Sequence, residues 1–157
     1  MTGSALKKIV SGGQSGVDRA AFDLALELGI ACGGWCPKGR YAEDGTIDAR
    51  YPVTETPTSN VDERTEWNVR DSDGTLILSI GEPKDGTGWT AECARKYSKP
   101  VFSIALDAEP NREAFKEWIT KNRIQVLNIA GPRESHSPGV IYLNARRLIS
   151  ELLQSLQ

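Results

Sequence analysis

The run Ser11-Gly12-Gly13-Gln14-Ser15-Gly16-Val17-Asp18 concentrates glycine and hydroxyl residues just after a short apolar segment. Glycine permits positive φ and lets a backbone approach a ligand with no Cβ in the way. A helix starting there would add free N–H groups and the positive end of its dipole, which suit a phosphate or carboxylate. Gly12, Gly13, Gln14, Ser15 and Gly16 are therefore candidate contacts to an anion. The spacing is neither the G-x-G-x-x-G dinucleotide fingerprint nor a P-loop, since no Gly-Lys-Ser/Thr follows. A plainer reading of the same residues is a tight turn in which Ser15 caps the helix and Asp18 closes a Ser-x-x-Asp capping box.

A second run, Glu82-Pro83-Lys84-Asp85-Gly86-Thr87-Gly88-Trp89-Thr90-Ala91-Glu92, repeats the arrangement after another apolar segment. Gly86, Thr87, Gly88 and Thr90 could hold a second anionic group or clamp one ligand from the other side. Glu92 falls in the first turns of the following helix, where the dipole alone favours an acid. In an enzyme it would serve as general base or oxocarbenium stabiliser for cleavage of an N-glycosidic bond. Lys38 and Arg40 add positive charge from an irregular stretch. Arg133, Ser135 and the single histidine, His136, follow the last apolar segment. No nucleophile elbow Gly-x-Ser-x-Gly is present, and Cys32, Cys36 and His136 do not supply the four ligands of a closed metal site.

The elements that must position these residues alternate. Leu6–Ser11 reads as a strand, followed by a helix in which Val17, Ala20, Ala21, Leu24, Ala25 and Leu28 recur at helical spacing and Gly29 supplies the stop. Ile30–Trp35 reads as a strand, and Cys36–Thr58 shows no sustained period. Asn60–Arg70 reads as a polar helix capped by Ser59 or Asn60, with Arg64 near its start and facing the strand ends. Gly74–Ile80 is a buried strand, Thr87–Tyr97 a helix, Pro100–Leu106 a strand, Asn111–Lys121 a helix, Ile124–Ala130 a strand and Gly139–Leu156 a closing helix. This alternation predicts one α/β domain, a Rossmann-like parallel sheet with helices on both faces. Ligands of such sheets lie at the carboxyl ends of the strands, where both glycine runs fall. Asp71 and Asp73 precede a strand and are expected to hold a turn at the opposite end.

The chain has 157 residues, 39% hydrophobic and 25% charged, with a net charge of −2. Basic and acidic residues are interspersed, which argues against a nucleic-acid partner. No apolar run approaches the ~20 residues of a membrane helix, and the N-terminus lacks the long apolar core of a signal peptide. Three cysteines without framework spacing fit reduced thiols in a cytoplasmic protein.

Four blocks carry a family likeness: residues 11–19 (Ser-Gly-Gly-Gln-Ser-Gly-Val-Asp-Arg), 34–45 (Gly-Trp-Cys-Pro-Lys-Gly-Arg-Tyr-Ala-Glu-Asp-Gly), 64–75 (Arg-Thr-Glu-Trp-Asn-Val-Arg-Asp-Ser-Asp-Gly-Thr) and 131–135 (Gly-Pro-Arg-Glu-Ser). Together they resemble the molybdenum cofactor carrier proteins of the Rossmann-like SLOG superfamily, which also includes nucleotide phosphoribohydrolases. The resemblance implies a carrier for the molybdenum cofactor, whose pterin bears a phosphate, or for molybdate. It further implies a homo-oligomer, often a tetramer, with molybdenum enzymes as prospective partners. Carried onto this chain, Gly12–Gly16 would meet the phosphate or oxyanion, Lys38 and Arg40 would supply charge, and Gly86–Gly88 would form the opposite wall. The phosphoribohydrolases carry Pro-Gly-Gly-x-Gly-Thr-x-x-Glu. Here Gly88 and Glu92 keep the spacing, but Trp89 replaces the Thr and no Pro-Gly-Gly precedes it. Hydrolysis of a nucleoside monophosphate, or sensing of a nucleotide, are the alternatives to carriage.

Overall fold

The computed structural model describes residues 6–81 and 86–157. Among the described residues eight strands and five α-helices follow one another as β1 (Lys8–Val10), α1 (Val17–Leu28), β2 (Ala31–Cys36), β3 (Tyr41–Ala42), β4 (Gly45–Thr46), β5 (Val53–Glu55), α2 (Val61–Arg70), β6 (Gly74–Ser79), α3 (Gly86–Lys96), β7 (Val101–Ala105), α4 (Arg112–Lys121), β8 (Val126–Ala130) and α5 (Ile141–Gln154). Six strands form one sheet in the order β5-β2-β1-β8-β6-β7, every pair parallel. The predicted Rossmann-like sheet with helices on both faces is what the chain forms.

The two faces are built from different residues. Along β8, side chains alternate across the sheet: Leu127 and Ile129 enter the main apolar cluster, while Asn128 points to the other side and donates to Thr75 Oγ1 at 3.2 Å. The main cluster packs α1, α4 and α5 against the strands. In α5 the buried residues Ile141, Ala145, Leu148, Ile149, Leu152 and Leu153 form one helical stripe. The opposite face carries α2 and α3, whose apolar contribution is the small cluster of Val69, Cys93 and Ala94.

Cys36–Thr58 is more ordered than its sequence suggests. It contains the antiparallel hairpin β3–β4 and the edge strand β5, which pairs with β2 from Gly34–Val53 to Cys36–Glu55. Ile47, Tyr51 and Val53 pack with Phe22, Cys36 and Ala42 into a separate small core. Arg40 holds the segment together. Its guanidinium donates to the carbonyls of Ile47 (3.1 Å), Val53 (3.3 Å), Asp48 (2.8 Å) and Tyr51 (3.1 Å).

At the amino end of the sheet, Asp73 Oδ2 accepts from the backbone N–H groups of Gln125 and Val126, which fixes the start of β6 beside β8. Asp71 accepts from the Trp35 indole at 2.8 Å. Both are structural, as expected. The cysteines are free thiols, and burial pushes that of Cys93 up to about 11. Among the described residues no helix is long and apolar enough to cross a membrane.

Candidate functional site

The chain leaves β1 toward one edge of the sheet and β6 toward the other, with β8 between them. The connections therefore diverge at the carboxyl ends of these strands, which is where an open α/β sheet places its crevice. A cavity of about 440 Å³ opens there, between the glycine turn, α2, α3 and the segment after β8. Its floor is Gly12, Gln14 and Asp18; Arg64, Thr65 and Asn68 descend from α2; Asn128 rises from β8; Thr90, Arg133 and His136 complete the rim. Among the described residues no group of three or more metal-ligating side chains could hold a metal ion.

The geometry of the turn explains its glycines. Gly16 is the N-cap of α1 with φ of 79°, and a Cβ there would lie 2.6 Å from the Pro132 carbonyl oxygen. The segment after β8 can thus lie directly on the turn, where the Val17 N–H donates to that same carbonyl at 3.2 Å. At Gly12 a Cβ would lie 2.5 Å from Arg64 Nη1, so the missing side chain is what admits the guanidinium. The Ser15–Asp18 capping box does not form. With Gly16 as the cap, Ser15 stands one residue too early, and no side chain caps the helix.

The turn's own N–H groups are largely committed to internal acceptors. Gln14 N–H donates to Asp18 Oδ2 (3.2 Å), and Ser15 N–H donates to Gln14 Oε1 (2.9 Å). The anion seated against this turn is the protein's own Asp18. That residue is 8% exposed, and burial pushes its carboxyl above the usual carboxylate range, against the opposing pull of the nearby Arg64 guanidinium. Arg64 Nη1 lies 4.0 Å from Asp18 Oδ2 and donates to the Gly12 carbonyl at 3.1 Å. Arg64 reaches this point because Asn60 caps α2, accepting from the Asp62 N–H at 2.9 Å and setting the helix start beside the turn.

Ser15 and Ser135 meet each other through Glu43 rather than at the cavity. The Glu43 carboxylate accepts from the hydroxyl of Ser15, from the hydroxyl of Ser135 (2.6 Å) and from the Ser135 N–H (3.1 Å). Glu43 N–H in turn donates to Gln14 Oε1 at 2.8 Å. Arg19 adds two hydrogen bonds to Asp44, at 3.1 and 3.2 Å. The tip of the β3–β4 hairpin is thereby strapped to the glycine turn and to the segment after β8.

The structure therefore gathers Gly12, Gln14, Arg64, Thr90 and Arg133 at the cavity wall, and places Gly13, Ser15, Gly16, Lys38, Arg40, Ser135 and Glu92 elsewhere. Gly13 is buried with φ of 82°, and a Cβ there would lie 2.9 Å from Ile47 Cδ1. Ser15, Gly16 and Ser135 border a separate, shallower cleft with Asp23 and Tyr142. Lys38 is exposed and outside the cavity wall, and Arg40 is spent on loop carbonyls. These two cations were expected over the strand ends, but the loop's need for internal donors claims Arg40, which is half-buried. Glu92 points to solvent, its side chain 61% exposed and 3.9 Å from Arg95. Residues 82–85 of the second glycine run, and the side chains of Gly86 and Thr87, lie outside the described residues. Gly88, the third residue of α3, has open space where a Cβ would stand among the described residues.

Asp18, Thr65, Asn68, Ser79, Asn128 and His136 also line the cavity. Two signals for them exist in the sequence. Asn128 interrupts an apolar strand, and Arg64, Thr65 and Asn68 share one face of a helix that has to cover a sheet. Asn68 is buried and pairs with both backbone groups of Trp35, at 2.7 and 3.0 Å.

Residues 9–153 match the model of the circularly permutated YpsA SLOG family. The crystal structure of a protein named "Putative molybdenum carrier protein", from Syntrophus aciditrophicus SB, is 46% identical to this chain. It superimposes with a TM-score of 0.89, covering 97% of each chain. No curated protein matches significantly. With a parallel sheet, a glycine turn at its crevice and a family match over nearly its whole length, the chain belongs to the circularly permutated YpsA family of SLOG proteins.

Proposed function

We propose that this protein is a carrier that binds a phosphate-bearing anion, the molybdenum cofactor, in the cavity at the carboxyl ends of β1, β8 and β6. The observation that carries the reading is the cavity itself, where Asn128, Thr65 and Thr90 stand beside apolar Val61, Ile80 and Ile129, with a mostly buried arginine reaching across a side-chain-free glycine. Arg64 offers charge-assisted hydrogen bonds to an oxyanion. Asn128, Thr65 and Thr90 offer neutral ones.

Size favours the pterin-based cofactor over bare molybdate. A volume of about 440 Å³ is within the range of pockets that enclose drug-sized molecules, roughly 300–1,000 Å³. A tetrahedral oxyanion alone would leave most of it to water. The name of the Syntrophus relative points to the same cargo. The exposed position of Glu92 supports carriage over glycosidic hydrolysis, because a general base must come within hydrogen-bonding reach of its substrate.

The protein purified from cells making the cofactor is expected to carry molybdenum by elemental mass spectrometry and a pterin by fluorescence after oxidation. Titration with the cofactor should saturate, and Arg64→Ala should weaken it. Absence of affinity for both the cofactor and molybdate would overturn the proposal.

A further inference from the structure

Asp18 is a carboxylate that the cavity wall both buries and leaves poorly partnered. Its nearest cation, Arg64 Nη1, stands at 4.0 Å, beyond hydrogen-bonding distance, and its one backbone donor, Gln14 N–H, is at 3.2 Å. Among the described residues the hydrogen bonds of the Arg64 side chain go to neutral carbonyls, Gly12 at 3.1 Å and Val61 at 3.4 Å. An oxyanion entering the cavity would offer this guanidinium short, charge-assisted hydrogen bonds, which neutral carbonyls cannot match.

We propose that Asp18 sets the charge balance of anion binding: it yields Arg64 to the ligand and takes up one proton from solvent in exchange. The inference rests on the anion-carrier reading of this cavity. The alternative would leave two negative groups facing each other across one guanidinium in a site of low dielectric, and one of them is then protonated. Asp18 is the group placed to accept that proton. Burial already raises its carboxyl above the ordinary range, and Arg64 opposes that rise. Withdrawing Arg64 removes the opposition.

The other charged groups around it can be named. From its own turn and helix, Asp18 is met by the Ser11 hydroxyl and by Arg19. From α2 come Arg64 and, further out, Asp62; from the segment after β8, Arg133 and His136 stand on the same wall. Arg19 is tied to Asp44, and Arg64 is the cation nearest the carboxylate. Asp62 is exposed at the rim, and His136 is the remaining group on the wall that could bind a proton, so any test has to separate it from Asp18.

Sulfate is the appropriate probe. It stays doubly charged from about pH 5 to about pH 8, so a change in its affinity over that range reports groups of the protein. Calorimetric titration of the full-length protein is expected to show sulfate affinity falling by up to about tenfold per pH unit across part of this range. In two buffers of different ionisation enthalpy it should show uptake of close to one proton per sulfate. Asp18→Asn should bind sulfate more tightly than wild type at the alkaline end and lose the pH slope, whereas His136→Gln should keep the slope. Affinity independent of pH with no proton uptake would overturn the inference while leaving anion binding intact. So would a slope that survives in Asp18→Asn and disappears in His136→Gln. No sulfate binding at any pH, in wild type and in Asp18→Asn alike, would overturn the anion-binding reading and this inference together. If Asp18→Asn fails to fold, the proton count on wild type and on His136→Gln decides the matter: uptake kept in both supports the inference, and uptake lost in His136→Gln overturns it.

Discussion

The two faces of the sheet do different work. Beneath α1, α4 and α5, aliphatic and aromatic side chains make one continuous core, from Ile9 and Val17 through Phe115 to Leu153. Beneath α2 and α3 the sheet shows Thr75 and Asn128, and α2 answers with Arg64, Thr65 and Asn68 around a cavity. Burial of apolar surface stabilises folds in proportion to area, so the first face dominates stability. The second forgoes part of that gain and keeps polar groups at hand for a ligand. A helix that is polar on its inward side is thus a sign of a site.

Phe115→Ala should break the first face most severely. The ring is fully buried and meets Phe102 and Trp118 at centroid distances of 5.4 and 6.0 Å. Removing it should cost about 3–5 kcal/mol in urea unfolding, by lost burial plus the cavity left behind. Thr65→Ala on the second face should cost less than about 1 kcal/mol in the same assay. If the two losses were equal, the division between the faces would be wrong.

Arg64→Ala should reverse the ranking when binding is measured. Loss of charged hydrogen bonds to an anion is worth about 1.5–3 kcal/mol, which corresponds to roughly 10- to 150-fold in affinity. Phe115→Ala should leave the affinity of the molecules that remain folded near that of the wild type. Equilibrium titration with the cofactor or molybdate distinguishes these outcomes.

The strap formed by Glu43 belongs to neither face, and its expected effect is more local. Burial works to raise the Glu43 carboxyl, but the hydroxyls of Ser135 and Ser15 outweigh it and hold the carboxyl below its ordinary value. A carboxylate depressed in this way favours the latched state above the ordinary carboxylate range and loses that advantage as the pH falls through its folded value. Glu43→Gln should speed hydrogen exchange in residues 41–46 by roughly tenfold at neutral pH, the equivalent of one weakened charged hydrogen bond, with the difference shrinking in acid. Unchanged exchange would mean that the hairpin is held by its apolar contacts alone.

Asp18 has the opposite sign. Its carboxyl is raised in the folded protein, so the native state holds the proton more tightly than the unfolded chain. Stability from this group is present at low pH and is lost as pH rises from the ordinary carboxylate range through the raised folded value. Asp18→Asn should therefore melt at a higher temperature relative to wild type at pH 8 than at pH 4. A difference of the reverse sign would show that the Arg64 interaction outweighs burial.

The fold was legible in the sequence because period and punctuation agreed. The stripe in α1 ending at Gly29, the stripe in α5 and the continuous apolar run of β6 each have one reading. Cys36–Thr58 was not legible, since its order depends on Arg40 meeting carbonyls up to 13 residues away, a pattern with no local period. At the site, the position of the glycine turn could be read but not its internal occupant. Whether the carboxylate of Asp18 turns inward or caps the helix is settled by Gly16 and by Arg64, which is far along the chain. Likewise Lys38 and Arg40 look equivalent as sequence, and tertiary contacts separate them.

Glu92→Ala should have the smallest effect, and that is its value. The side chain is 61% exposed, and its pairing with Arg95 at 3.9 Å is of the surface kind that contributes little. Substitution should shift unfolding by less than about 0.5 kcal/mol and leave the affinity for the cofactor unchanged. The face of α3 turned toward the cavity is marked by Thr90, so Thr90→Val is the companion substitution, expected to weaken binding without altering the helix. A clear loss of binding or of nucleotide cleavage in Glu92→Ala would mean that α3 turns Glu92 inward when ligand arrives. The polar face would then hold a general base, and hydrolysis would replace carriage as the better account of the cavity.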